Sequence, residues 1–181
     1  MKWLPFSSGL HGAITRIPDR YWAPVAASAM LAIIGAIGIA SSEPLLFASL
    51  GPSAYLAARK PQERSTKFYN VFMGHLSGLA AGFLAVFALG AWNAPVPFVD
   101  SHSLAPVRLF AIALAVLWSL SFDSLLHVDH APTEATTILV ASGVFRTATD
   151  ALMVIQGVAI MAFLSEMFRR LRARHPQEQQ T

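Results

Sequence analysis

An all-α membrane protein of four long transmembrane helices and two short, broken or re-entrant ones, arranged as an inverted repeat, is the fold class that three observations predict. Hydrophobic residues make up 55% of the 181 and charged residues only 13%, where a soluble domain carries roughly 25% charge. Four apolar runs are long enough to approach a hydrocarbon core of about 30 Å. Two further polar-studded runs of about half that length, 45–58 and 127–142, hold Pro52 and Pro132 about 80 residues apart, and in each half the order is long, short, long.

The first 21 residues hold Lys2, Arg16 and Arg20 without a signal-peptide core, and read as a cytoplasmic lead with Trp3, Leu4 and Phe6 at the interface. A first membrane repeat spans 22–90. Its opening run, Trp22–Ala40, is uncharged and reaches about 28 Å as a helix; Ser41-Ser-Glu-Pro44 ends it. The short run Leu45–Ala58 is interrupted at Gly51-Pro52, a helix start, and leads to a basic loop, Arg59–Lys67. The next span, 70–89, places Gly74, Gly78 and Gly82 four apart, a small-residue face for close helix packing. His75 lies about one turn inside it, where an ionisable ring normally faces protein or water.

Residues 91–106 read as a loop with Asp100 and His102, and 107–168 as the second repeat. Its first span, 107–121, is slightly short and begins at Arg108, a side chain able to snorkel. In the polar stretch His127–Ser142, Pro132 starts a short helix, because proline at a first helical position loses no needed donor. Asp123 is placed at the cytoplasmic interface without a role. Asp150 suits the start of the last span, 151–168, and Gln156 lies one turn further in. The tail, 169–181, is basic and polar, and reads as disordered from His175.

Charge orients the chain. If both short segments cross, six crossings place eleven of the 13 Lys and Arg residues on one face and only Arg108 and Arg146 on the other, so both termini are cytoplasmic in an inner membrane. Re-entrant short segments would put the Arg59–Lys67 loop on the wrong face. Inverted repeats with interrupted helices place a binding site near the midplane, with helix N-termini aimed at an anion.

No cysteine is present, which excludes disulfides, thiolate metal sites and cysteine nucleophiles. The net charge of +3 sits beside the apolar runs, as orientation requires, and does not suggest nucleic acid. No nucleophile elbow, phosphate loop or dinucleotide fingerprint occurs, so neither an enzyme nor a cofactor is expected. His127, Asp129, His130 and Glu134 offer N and O ligands but lack a recognised metal spacing, and no metal site is assigned. Ser53, His75, His130, Thr133, Glu134, Thr136 and Gln156 are the candidate path residues. Each has a structural reading too: His130 as a cap or a carbonyl partner, and Ser53, Thr133, Thr136 and Thr137 as hydroxyls bonded back to their own helix.

At these residues the chain resembles the HPP family of integral membrane proteins. The family's name-giving triplet resembles His130-Ala-Pro132, its Gly-Ala-Ser-Ala run resembles Gly51-Pro-Ser-Ala54, and its Asn-Val and Gly-His-Leu motifs match Asn70-Val71 and Gly74-His-Leu76. The three lie in family order. Ala131 replaces the middle proline, and Thr133-Glu134 stands where the family has Ala-Gly. The resemblance implies a small transporter, since plant and cyanobacterial members are nitrite carriers. Transport of a small inorganic anion by a homo-oligomer in the bilayer is the expected function; a non-transporting scaffold or sensor subunit and a divalent-metal-binding membrane protein are the alternatives. Glu134 would compete with an anion for the donors at its helix start, a conflict that protonation removes.

Overall fold

The computed structural model describes residues 14, 17–97, 99–100 and 103–172. The expectations for Trp3, Leu4, Phe6 and His102, and for the tail from His175, lie outside them. The chain forms α1 (Asp19–Ser41), α2 (Leu50–Arg59), α3 (Phe68–Ala88), α4 (Pro106–Leu126), α5 (Thr133–Ala141) and α6 (Ala148–Arg172). Of these, α1, α3, α4 and α6 are long and apolar enough to cross a membrane, and α2 and α5 have only 10 and 9 residues.

Local chemistry explains most boundaries. Pro18 presets the backbone before α1, Asp19 suits the positive end of its dipole, and Ser42 closes it in the left-handed region at φ 58°. In α2 the helix begins at Leu50, so Gly51 and Pro52 fall in its first turn, where a proline costs no hydrogen bond. They start the helix rather than interrupt it. Pro132 is likewise the residue before Thr133, the first of α5.

Two expectations are corrected. The span expected to stop at Ser121 continues to Leu126, because Ser121 and Ser124 bond back to the carbonyls of Leu117 and Leu120 and so carry little polar cost. Arg108 does not snorkel. It is 1% exposed, and its Nη atoms donate to the carbonyls of Ala94 (2.8 Å) and Ala141 (3.3 Å). Ala141 ends α5, so the guanidinium takes up an orphan carbonyl at the negative end of that helix. Gly143, at φ +89°, leaves the space the guanidinium fills.

The cross-links fix the path of the chain. At one end of the bundle, Arg172 of α6 donates to Asp19 and to the carbonyls of Ile14 and Ile17. Ser165 donates to the Thr66 carbonyl, Tyr69 to that of Leu126 and Arg64 to that of His127. At the opposite end Arg108 holds Ala94 and Ala141, and Arg146 pairs with Asp100 at 2.6 Å. α1 and α3 therefore start from one end of the bundle, and α4 and α6 from the other. Residues 42–59 bring the chain back from α1 to the start of α3, and 127–143 carry it from the end of α4 to the start of α6. Each short helix with its extended lead completes one traverse, giving six, and the two halves are inverted relative to each other.

Close packing makes room for the short elements. Gly74, Gly78 and Gly82 of α3 face α5: a Cβ at Gly78 would lie 2.5 Å from Thr137 Oγ1, and one at Gly82 would lie 2.6 Å from Val140 Cβ. Gly157 of α6 admits the extended backbone at Leu45 in the same way. Met30 and Ile34 of α1, Leu50 and Ala54 of α2, and Val158 and Met161 of α6 form the main apolar core. Large apolar side chains such as Ile39, Phe87, Leu125 and Phe163 face outward, as a lipid-facing surface requires.

Candidate functional site

The starts of the two short helices meet inside the bundle. Ser49 is the residue before α2 and Ser53 lies in its first turn; His75 comes from α3, His130 from the segment before α5, and Thr133, Thr136 and Thr137 from α5 itself, and all seven are buried. The two imidazole rings stand edge to face, 5.1 Å between centroids. So many polar groups in an apolar bundle are tolerated only when they partner one another.

Their hydrogen bonds form one row. The Ser65 carbonyl can only accept, so His130 Nδ1 donates to it at 2.8 Å. In a neutral ring Nε2 is then an acceptor, and Ser53 Oγ donates to it at 2.9 Å. Ser53 has one proton, so its oxygen accepts from His75 Nε2, also at 2.9 Å. His75 Nδ1 accepts in turn from Thr136 Oγ1 at 2.6 Å, and Thr136 accepts from Ser49 at 2.8 Å. With both rings neutral, every proton in the row points from Ser49 towards Ser65.

A second set of polar groups lies beside it. Thr137 Oγ1 donates to Ser119 Oγ (3.1 Å), and Ser119 donates to Glu134 Oε1 (3.0 Å). Glu134 Oε2 and Thr133 Oγ1 are buried without a protein hydrogen-bond partner. Asp123 accepts from Ser77 of α3, so it joins α4 to α3 rather than lying idle at the interface. Asp123, Asp129, His130 and Glu134 line a cavity of about 350 Å³, a vestibule near the end of α4. At the opposite end an open groove of about 460 Å³ is lined by Glu43, Leu45 and Leu46. Among the described residues, no three His, Asp or Glu side chains come together as a metal site.

The backbone donors at the two helix starts are already engaged. Leu50 and Gly51 donate to Phe47 and Ala48, and Thr133 and Glu134 to His130 and Ala131. Side-chain hydroxyls and ring nitrogens, rather than bare N–H groups, are what this centre offers a solute.

Among the path candidates, Ser53, His75, His130 and Thr136 share the row, and Thr133 and Glu134 flank it. Gln156 stands apart, exposed on the outer side of α6, because its helix is rotated to bring Gly157 and Val158 inward. Ser49 and Ser119 were missed. The four-residue spacing of Ser49 and Ser53 was the available signal for the first, and Ser119, followed by Ser121, Asp123 and Ser124, reads as part of a helix end rather than as a site residue. Asp150 accepts from the N–H groups of Arg146 and Thr147, capping α6. Outside the spans, the Val96 N–H, and then Arg146, hold the Asp100 carboxyl below its usual range.

A family model described as "HPP, transmembrane region" matches residues 13–177. No curated protein and no solved structure matches the chain.

Proposed function

We propose, since this chain belongs to the HPP transmembrane family, that it transports a small inorganic anion together with a proton, nitrite being the first candidate. The observation that carries this reading is the meeting of two half-length helices, start to start, at a buried cluster of hydroxyls and imidazoles. Both helix dipoles present their positive ends there. The vestibule supplies the argument for a proton: Asp123, Asp129 and Glu134 line it, and ionised together they would repel an entering anion. A protonated Glu134 would lose its charge and gain a donor on the oxygen that has no protein partner.

The centre is packed, so passage requires movement of the short helices and resembles a carrier rather than an open pore. We read the protein as a transporter and not an enzyme, in an inner membrane, with the end that carries Arg59, Arg64 and Arg172 on the cytoplasmic side. A homo-oligomer fits so small a bundle. The scaffold and metal-binding alternatives have no observation in their favour comparable to the central cluster.

The pH dependence of nitrite uptake tests the reading. In proteoliposomes, uptake by the intact chain rises as the outer pH falls, and Glu134→Gln, neutral at every pH, flattens that response. Full pH dependence in the variant would show that Glu134 does not carry the coupling proton.

A further inference from the structure

We propose that Ser49, Thr136, His75, Ser53 and His130 form a proton relay, so that the chain conducts protons whether or not an anion is present. The relay deepens the proton-coupled reading, resting on it for a purpose but not for its geometry. Every link lies between 2.6 and 2.9 Å, and each interior member accepts on one side and donates on the other. Each imidazole uses both nitrogens, one in each role, which is what a relay requires and a simple structural bond does not.

The transfer balances. A proton arriving at the Ser49 oxygen releases the Ser49 proton to Thr136, and Thr136 passes its own to His75 Nδ1. His75 gives the proton on Nε2 to Ser53, and Ser53 gives its proton to His130 Nε2, leaving one positive charge on that ring. A turn of the His130 side chain offers a proton to the vestibule, where Asp129 from the connecting segment, Asp123 from α4 and Glu134 from α5 are the acceptors. Arg64, held on the His127 carbonyl, is the cation at that rim. One proton enters, one leaves, and nothing is oxidised. The row then points the other way. A second proton follows only after the Ser49, Thr136 and Ser53 hydroxyls have turned and the His75 ring has swung to offer its Nδ1 proton on the Ser53 side; the Ser65 carbonyl, which repels a bare Nδ1, restores the starting tautomer of His130. Ser49 is fully buried and does not line the groove at the opposite end, which Leu45 does, so a proton reaches it only when the Leu45–Ser49 segment moves.

The test uses the intact chain in vesicles holding a pH-sensitive dye in potassium gluconate, with valinomycin setting the membrane potential. The intact chain should conduct protons faster than protein-free vesicles. His75→Gln keeps a donor and an acceptor but its amide does not shuttle protons, so it should unfold at the parent's temperature while conduction drops to the protein-free level. Thr136→Ser should conduct and Thr136→Val should not, which keeps the outcome decisive if His75→Gln fails to fold. An intact chain no faster than empty vesicles, or either His75→Gln or Thr136→Val conducting like the parent, would overturn the relay. Proton conduction without nitrite uptake would uphold the relay and overturn the anion reading.

Discussion

Ser53 holds both imidazoles at once, donating to one and accepting from the other through a single oxygen. Ser53→Ala would leave Nε2 of His75 and of His130 unpaired in a site that is 2% exposed or less, at about 1–3 kcal/mol for each group. Its thermal unfolding in detergent should therefore shift well below the parent's, and an unchanged midpoint would mean that the bonds are not made. At this scale the sequence was informative where a polar residue interrupts an apolar run: Ser53, His75 and His130 were singled out and are joined. It was silent where the outcome depends on tertiary partners. Arg108 is buried because two distant carbonyls reach it, and nothing in its neighbours signals them. The side that Gln156 presents was likewise decided by the rotation of α6 about Gly157.

Helix α3 carries a flat face because Gly74, Gly78 and Gly82 remove three side chains in succession, and α5 lies directly in the space. The same residues let a nine-residue helix, too short to be stable alone, hold its place by contact with α3. Gly78→Ala should push α5 away, since its Cβ would meet Thr137 Oγ1 at 2.5 Å and Thr133 Cγ2 at 2.9 Å. A loss of about 1–3 kcal/mol is the usual cost of such overpacking, read as a lower unfolding temperature. No shift would show that the helices are further apart than described. Element types and order were legible from run length and from the two prolines. The length of α4 was not, because Ser119, Ser121, Asp123 and Ser124 look like a helix end until their partners are seen.

Across the whole molecule, the two short traverses convert four long spans into six passages and bring both described ends of the chain to the same end of the bundle. That end carries Arg20, Arg59, Lys60, Arg64, Lys67, Arg169, Arg170 and Arg172, and the other carries Arg108 and Arg146. The charge bias and the inverted repeat were both readable from the sequence. The converging hydrogen bonds were not, since they join residues from 22 to 87 positions apart. The central claim is that the meeting point of the short helices lies on an anion path. Its most direct test is uptake of nitrite, nitrate, formate and chloride into proteoliposomes by the intact chain and by a folded His75→Gln, His130→Gln double variant. The account predicts saturable, nitrite-preferring uptake by the intact chain that the double variant loses. Absence of uptake of all four anions above protein-free vesicles, or equal uptake by the double variant, would contradict it.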